Sequence, residues 1–283
     1  MKKCFLLLLL TGNALLLQAQ LLQPWKLQLQ PGQSYTITST QQTNLTQNMM
    51  GQELKMTNNA TTTATLTVLA ADAQGFQLAQ TSNRLQMNMN MNTPMGQQDL
   101  QFDSDKKEDR EGELGQQIAS LIGATTEALL APGGQLTITK APQTDEALNL
   151  PGLGAGANDS VAMKGYFLAP PATALKAGDT WNESYNSETS QSNITYRYLR
   201  TEAGVAYFEY EQTATVNQTV TTNGMEVQSS QTVTGTGTLQ VELATGLVIQ
   251  RTFDGKINGK SEVMGMEIPQ EGTQKITVRL SKN

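Results

Sequence analysis

The sequence contains no histidine, and its one cysteine, Cys4, lies ahead of an N-terminal apolar run. Without histidine the chain cannot build Ser-His-Asp or Cys-His catalytic groups, histidine-based zinc or copper(II) sites, or histidine proton shuttles. A bacterial lipoprotein carries its lipidated cysteine just after the apolar run, so Cys4 does not predict a lipid anchor. Removal of the N-terminal segment would also remove this thiol, which excludes disulfides and thiolate metal sites from the rest of the chain.

Aromatic and basic residues are also scarce. Aromatics make up 5% of the chain, and 19 basic residues stand against 25 acidic ones, for a formal net charge of −6. With no basic stripe, binding to nucleic acid or to anionic lipid surfaces is disfavoured. Glu209 and Glu211 share the polar face of a predicted strand, but nothing pairs them as hydrolase carboxylates are paired. The sequence therefore predicts a protein that is not an enzyme, has no cofactor and has no nucleic-acid partner.

Residues 1–19 have the layout of a secretory signal peptide. Met1-Lys2-Lys3 is positively charged, an interrupted apolar run extends from Phe5 to Leu17, and Ala19 is a small residue after which a signal peptidase could cut. The run is too short and too interrupted for a stable membrane span. We therefore expect an exported protein, periplasmic or in the outer envelope or extracellular space, with no transmembrane segment after cleavage.

Alternation of apolar and polar residues with a period of two dominates the remaining chain and is typical of antiparallel strands. Between Met225 and Ala244, apolar and small residues alternate with polar ones, and we expect a bend or bulge at Gly235/Gly237 because the run is long for one strand. Two further faces read Ala206, Phe208, Tyr210, Gln212 and Leu247, Ile249, Arg251, Phe253, Ile257. Hairpin turns are predicted at Asp72–Gly75, Glu202–Gly204, Asn223-Gly224, Ala244–Gly246 and Asn258-Gly259.

Two other patterns divide the chain. Helical spacing of leucine and isoleucine predicts one amphipathic helix over about 113–130, ended by Pro132-Gly133-Gly134. Residues 141–173, rich in proline and glycine, read as a connector between a first half (20–140) and a second half (174–283). Each half opens with Leu-x-x-Gly-x-hydroxyl-aromatic, at Leu29 and at Leu175. The expected fold is mainly β, with two curved, half-barrel-like antiparallel sheets and one helix in the first; a transmembrane β-barrel is the alternative, disfavoured by the scarcity of aromatics.

The most unusual motif is Leu85-Gln-Met87-Asn-Met89-Asn-Met91-Asn, in which the methionines share one strand face. Three interpretations remain open. In the first, the methionines fill gaps in a core. In the second, they form, with Met49 and Met50 of the preceding hairpin, a deformable apolar surface that binds a lipid-like or protein ligand. In the third, Met87, Met89 and Met91 bind copper(I) through their thioethers.

Several segments together resemble an uncharacterised exported family of Bacteroidota that is known only as a domain of unknown function. They are the signal ending in Gln18-Ala19-Gln20, the Leu-x-x-Gly-x-x-aromatic opening, Gly235-x-Gly237, Thr245-Gly246-Leu247-Val248 and Gly265–Gln270. The resemblance implies two β-rich halves and an envelope location. It implies no activity and no functional residues.

These observations lead to one functional prediction with two alternatives. We expect a binding or chaperone-like module whose concave β face takes a hydrophobic ligand or an envelope protein, with Met87, Met89, Met91, Met49 and Met50 as candidate ligand-binding residues. The first alternative is a periplasmic copper(I)-binding protein. The second is a purely structural envelope scaffold.

Overall fold

The computed structural model describes residues 21–49, 51–93, 96–142, 163–186, 189–222, 225–263 and 265–283. The predicted signal peptide, residues 143–162 of the predicted connector, and the Asn223-Gly224 turn lie outside these residues. The strands are β1 (Ser34–Met49), β2 (Gln52–Asp72), β3 (Gly75–Thr93), β4 (Gly96–Asp103), β5 (Thr125–Leu130), β6 (Leu136–Lys140), β7 (Thr180–Asn186), β8 (Ser190–Glu202), β9 (Val205–Thr222), β10 (Met225–Glu242), β11 (Leu247–Val263) and β12 (Met266–Lys282). The helices are α1 (Lys107–Glu111) and α2 (Glu113–Ile118), followed by the 3₁₀ turn Ala119–Leu121.

The strands form one antiparallel sheet of 12 strands in the order β6-β5-β3-β2-β1-β12-β11-β10-β9-β8-β7, with β4 added beside β3. This confirms the prediction of a mainly β, antiparallel protein. The predicted division into two sheets is not confirmed, because β1 pairs with β12 from Tyr35 opposite Lys282 to Gln47 opposite Gln270. Main-chain hydrogen bonds therefore make one continuous sheet of the first and second halves.

Alternation along the strands separates a buried face from an exposed one. In β10, Leu239 and Val241 are buried whereas Thr236 and Thr238 are exposed, as the sequence pattern predicts. In β3 the buried positions change from even to odd numbers, because a bulge between β2 and β3 shifts the register at Thr63/Ala64. An extra residue in one strand reverses which side chains face the core.

The predicted bulge does not lie at Gly235 or Gly237, because the register between β10 and β11 shifts between Gln240 and Val241. Gly237 serves close packing, because a Cβ there would lie 2.0 Å from the Thr252 carbonyl oxygen and 2.6 Å from the Tyr210 ring. Asn258-Gly259 was predicted as a hairpin turn, but both residues lie inside β11 and pair with β10.

The helix predicted over 113–130 is wrong for most of its length. Helical structure ends at Leu121, and Thr125–Leu130 is strand β5, paired with β3 from Thr81 to Phe76. The short α2 does pack against the sheet, since Ile118 is fully buried against Met87 and Phe102. No helix in the described ranges is long and apolar enough to cross a bilayer.

Two segments outside the strands cover part of the buried face, and we call residues 21–30 and 163–175 the inner layer. Leu22 and Leu175 exchange main-chain hydrogen bonds of 2.9 Å, which joins the two segments. Phe167 forms an isolated bridge with Leu247 of β11. The side chains that the inner layer buries are Leu22, Trp25, Leu27, Leu29, Met163, Tyr166, Phe167, Leu168 and Leu175. The sheet is therefore sandwiched against its own N-terminal and connecting segments.

The two predicted Leu-x-x-Gly openings form the same turn. The Gly32 N–H donates to the Val68 carbonyl and the Gly178 N–H donates to the Tyr198 carbonyl, each at 2.8 Å. Both glycines have positive φ, 85° and 93°, which a residue with a Cβ adopts only at a cost. In each turn a side-chain oxygen four residues after the leucine, from Gln33 or Asp179, accepts a main-chain N–H. The sequence similarity of the openings thus extends to their hydrogen bonds.

A bidentate ion pair joins β3 to β4. Arg84 donates to both carboxylate oxygens of Asp103, at 3.2 Å and 2.8 Å, and Gln86 donates to one of them at 2.9 Å. Hydrogen bonding by Arg84, together with the Asp105 backbone N–H, holds the pKa of Asp103 well below its usual range. The folded state therefore favours the ionised carboxylate more than the unfolded chain does.

We expect this ion pair to give an acid-dependent contribution to stability. In the unfolded chain the Asp103 pKa is about 3.9. The contribution is present above that value and is lost as the pH falls toward the folded-state pKa. Urea unfolding between about pH 2 and pH 6 should show a weaker loss of stability on acidification for Asp103→Asn than for the wild type. Arg84→Gln should weaken the pH dependence of the free energy of unfolding in the same way. A pH dependence equal to that of the wild type in both variants would contradict the role given to this ion pair.

Candidate functional site

Met87 and Met89, two of the methionines singled out from the sequence, lie in a packed core. Met87 and Met89 are each 3% exposed and pack in a cluster with Leu45, Leu85, Phe102, Ile118 and Ile257. Met91 is partly buried at the edge of that cluster and pairs with Met56 of β2. Met49 is the last residue of β1, opposite Gln52, and Met50 lies outside the described residues. The structure thus places two of the five candidate side chains in a packed interior.

A cavity of 330 Å³ lies elsewhere, between the two ends of the strand order. Leu136 of β6 lines it from one side, and Tyr185 of β7 lines it from the other. Because β6 and β7 are the terminal strands of the sheet, the sheet must curve strongly to bring both to one space. We call this space the seam cavity. Its remaining walls come from β8 (Ser192, Ile194, Tyr196), from the inner layer (Lys164, Phe167, Leu168) and from the floor of the sheet (Gln212, Leu239, Val248, Arg251).

The wall beside the seam cavity is aromatic, although aromatics are few in the chain. Trp181 stacks on Tyr196 with ring centroids 5.0 Å apart and meets Phe208 edge-on at 5.5 Å. Tyr196 in turn lies 6.1 Å from Tyr210, and Trp25 of the inner layer lies 6.0 Å from Phe208. Such pairs stabilise beyond the area they bury and hold the rings in fixed positions. The buried face of β7, β8 and β9 therefore carries a set of mutually packed aromatic rings beside the seam cavity.

Arg251 places a positive charge beside these aromatic rings. Its Nε donates to the Tyr210 hydroxyl and its Nη2 donates to the Gln212 side-chain oxygen, both at 2.9 Å. The guanidinium also lies over the Tyr210 ring, 4.7 Å from the centroid. Burial opposes its charge, but the oxygens of Tyr210 and Tyr196 outweigh this effect, so the pKa of Arg251 lies above its ordinary value. The residue is charged at any physiological pH.

The partners of Arg251 are themselves held in place. The Tyr210 hydroxyl donates to the Thr252 carbonyl at 2.8 Å, and the Gln212 amide donates to the Ser192 hydroxyl at 3.1 Å. Each acceptor of the guanidinium is thus oriented by a second hydrogen bond. Among the described residues no carboxylate lies within 4.0 Å of the Arg251 guanidinium, although nine ion pairs of that kind occur elsewhere.

Lys164 brings a second positive charge to the seam cavity, and Glu183 offsets it. The Lys164 ammonium lies 3.7 Å from the centroid of the Tyr185 ring. Burial lowers the pKa of Lys164, and the charge of Glu183 partly restores it. Burial likewise raises the pKa of Glu183, and Lys164 opposes that shift. Lys164 and Glu183 therefore interact electrostatically, and of the two Lys164 lines the seam cavity together with Arg251.

None of these polar residues was predicted from the sequence to be functional. The available signal was the placement of Arg251 on the same alternating face as Phe253 and Ile257, and of Gln212 on the face of Phe208 and Tyr210. A polar side chain on an apolar strand face must find partners or a ligand. The methionine motif drew attention instead because it is unusual in composition, whereas in the structure Met87 and Met89 are ordinary core residues.

No family model and no curated protein matches the sequence. Among solved structures, 90% of the chain matches a structure of lipovitellin concerned with lipid–protein interactions, with 11% identity and a TM-score of 0.47; the match spans 26% of the lipovitellin chain. An outer membrane channel from Pseudomonas putida F1 matches 90% of this chain and 97% of its own, with 8% identity and a TM-score of 0.25. The β domain of the Bordetella autotransporter BrkA matches 88% of this chain and 99% of its own, with 8% identity and a TM-score of 0.28. Scores this low do not establish a shared fold.

Proposed function

We propose that this chain is an exported, non-enzymatic envelope protein that binds a hydrophobic, lipid-like ligand in the seam cavity. The observation that carries the proposal is the cavity itself, whose volume of 330 Å³ falls within the range of small-molecule sites, about 300–1,000 Å³. Export rests on the signal-like sequence of residues 1–19.

The lining of the seam cavity supports a ligand that has both an apolar and a polar part. Ile194, Leu239 and Val248 offer aliphatic surface, and Phe167 and Tyr196 offer aromatic surface. The polar residues that line the same space are Lys164, Ser184, Asn186, Ser190, Ser192, Gln212 and Arg251. The aromatic contacts around Tyr196 keep one wall in position before a ligand arrives, and this lowers the entropic cost of binding. The ligand surface therefore differs from the one predicted at Met87, Met89 and Met91.

Copper(I) binding and a purely structural role are the competing functions. Copper(I) would have to reach the thioethers of Met87 and Met89, which are each 3% exposed and surrounded by other core side chains. A scaffold would need no cavity and would bind no small apolar probe. The seam cavity favours ligand binding over both.

We expect the full chain to bind the neutral apolar dye N-phenyl-1-naphthylamine saturably, with a rise in dye fluorescence. Ser192 is buried and lines the seam cavity, so Ser192→Phe should fill part of the space and weaken binding by about tenfold or more, equivalent to about 1.4 kcal/mol. Asn193→Phe is the matched control, because Asn193 is the next residue of β8 and is exposed on the opposite face.

Circular dichroism melting should show that both variants are folded before binding is compared. Saturable binding by the wild type and by Asn193→Phe, with weakened binding by Ser192→Phe, supports the seam cavity as the site. Absence of saturable binding by the wild type would favour the scaffold. Equal loss in both phenylalanine variants would place the dye elsewhere.

A further inference from the structure

We propose that Arg251 anchors an anionic headgroup, so that the ligand of the seam cavity is a single-chain amphiphile with a carboxylate, of the fatty-acid type. This inference rests on the proposed function and specifies the ligand of the same site. It concerns the floor of the cavity, where Arg251 reaches the space from β11.

The Arg251 guanidinium has no carboxylate partner among the described residues. An ionised group removed from water is costly unless it is paired. Two neutral oxygens, from Tyr210 and Gln212, orient the guanidinium without neutralising it. These bonds use two of the five N–H donors of arginine, and within the described part of the chain the other donors have no acceptor. Donors of this kind, held in a planar fork, match a carboxylate.

The cations of the seam cavity indicate the charge of the ligand. Two cations line the seam cavity, Arg251 and Lys164. Of these, Arg251 presents a planar guanidinium, whose paired donors match the two oxygens of a carboxylate. Arg251 is also only partly exposed although it lies on the apolar face of β11, and it lines the seam cavity. A bound anion would meet it without any rearrangement of β11.

The aliphatic part of the cavity lining indicates what the rest of the ligand is. The seam cavity is also lined by the aliphatic side chains of Ile194, Leu239 and Val248, which offer no hydrogen bond, and Leu239 is paired with Arg251 across β10 and β11. A small polar anion would bind Arg251 and leave these aliphatic side chains in contact with water. An alkyl chain attached to the carboxylate would bury them, at about 25 cal/mol per Å² of apolar area. The two surfaces together specify an amphiphile.

The test is displacement of N-phenyl-1-naphthylamine from the full chain by four probes: dodecanoate, methyl dodecanoate, dodecanol and dodecyl phosphate. We expect dodecanoate to bind the wild type about 10- to 100-fold more tightly than the two neutral probes, the range expected for charge-assisted hydrogen bonds. In Arg251→Met that preference should disappear, while the affinities for dodecanol and methyl dodecanoate stay within about threefold of the wild type. Arg279→Met, which removes an exposed arginine from β12, is the control and should keep the preference.

The outcomes separate this inference from the function on which it rests. Equal binding of dodecanoate and dodecanol by the wild type would overturn the headgroup assignment and leave the apolar site standing. Displacement by none of the probes, or no dye binding at all, would overturn both. Tighter binding of dodecyl phosphate than of dodecanoate would replace the carboxylate by a phosphate. If Arg251→Met does not fold, Arg251→Lys takes its place, since it keeps the charge but loses the fork and should reduce the preference for dodecanoate.

Discussion

Replacing Phe208 by alanine is expected to lower the free energy of unfolding by about 3–5 kcal/mol, the usual cost of truncating a buried large aromatic side chain. Phe208 is 1% exposed and contacts the rings of Trp25, Trp181 and Tyr198. It therefore joins the inner layer to β7 and β8, and its loss leaves a void that these rigid rings cannot close. Urea unfolding followed by circular dichroism measures the effect.

Tyr207→Ala is the matched control for Phe208→Ala. Tyr207 is the neighbouring aromatic residue of β9 but faces outward, where its ring lies 4.2 Å from the Arg200 guanidinium. An exposed cation–π contact is worth about 0.5–1 kcal/mol, so the control should cost much less than Phe208→Ala. Similar losses in the two variants would show that the face assignment of β9 is wrong.

The second large effect is expected at Met87. Met87→Ala should destabilise the protein by about 2–5 kcal/mol, because it opens a cavity in the cluster around Phe102 and Ile118. Met87→Leu nearly conserves the volume and should cost less than about 1.5 kcal/mol. Asn88→Ala, on the exposed face of the same strand, should change stability by no more than about 0.5 kcal/mol. These values come from urea unfolding of each variant.

The outcome at Met87 also decides between interpretations of the methionine motif. A large loss in Met87→Ala with a small loss in Met87→Leu identifies the thioether as core filling. If Met87→Ala lowered the free energy of unfolding by no more than Asn88→Ala does, the Met87 side chain would not be packed in the core. A ligand or copper(I) surface at Met87, Met89 and Met91 would then have to be reconsidered.

The strand pattern was predictable because it is local. Leu239 and Val241 alternate with polar residues whatever the rest of the chain does, and period-two alternation is read directly from the sequence. Thr125–Leu130 shows the limit of this argument. Leu129 continues a helical spacing from Leu121 and Ile122, yet Thr126, Ala128 and Leu130 also alternate as a strand does. Pairing with β3 decides between the two, and no local signal reports that pairing.

The single sheet and the seam cavity could not be predicted because both depend on contacts between distant residues. The pairing of Tyr35 with Lys282 joins the two ends of the chain. The seam cavity exists because curvature of the whole sheet brings Leu136 close to Tyr185, and curvature is not visible in alternation. Arg251 was visible as a charge on an apolar face, but only the cavity shows what that charge faces.

The central claim is that an apolar ligand occupies the seam cavity, and quenching of Trp181 emission by 11-bromoundecanol tests it most directly. The sequence has two tryptophans, so Trp25→Phe leaves Trp181 alone, and its ring lies 5.0 Å from that of the cavity-lining Tyr196. A bromoalkyl chain in the seam cavity should quench this emission saturably, and adding Ser192→Phe should raise the probe concentration needed for half-maximal quenching by about tenfold or more. Emission that is unaffected by the probe, or quenched equally with and without Ser192→Phe, would contradict the claim.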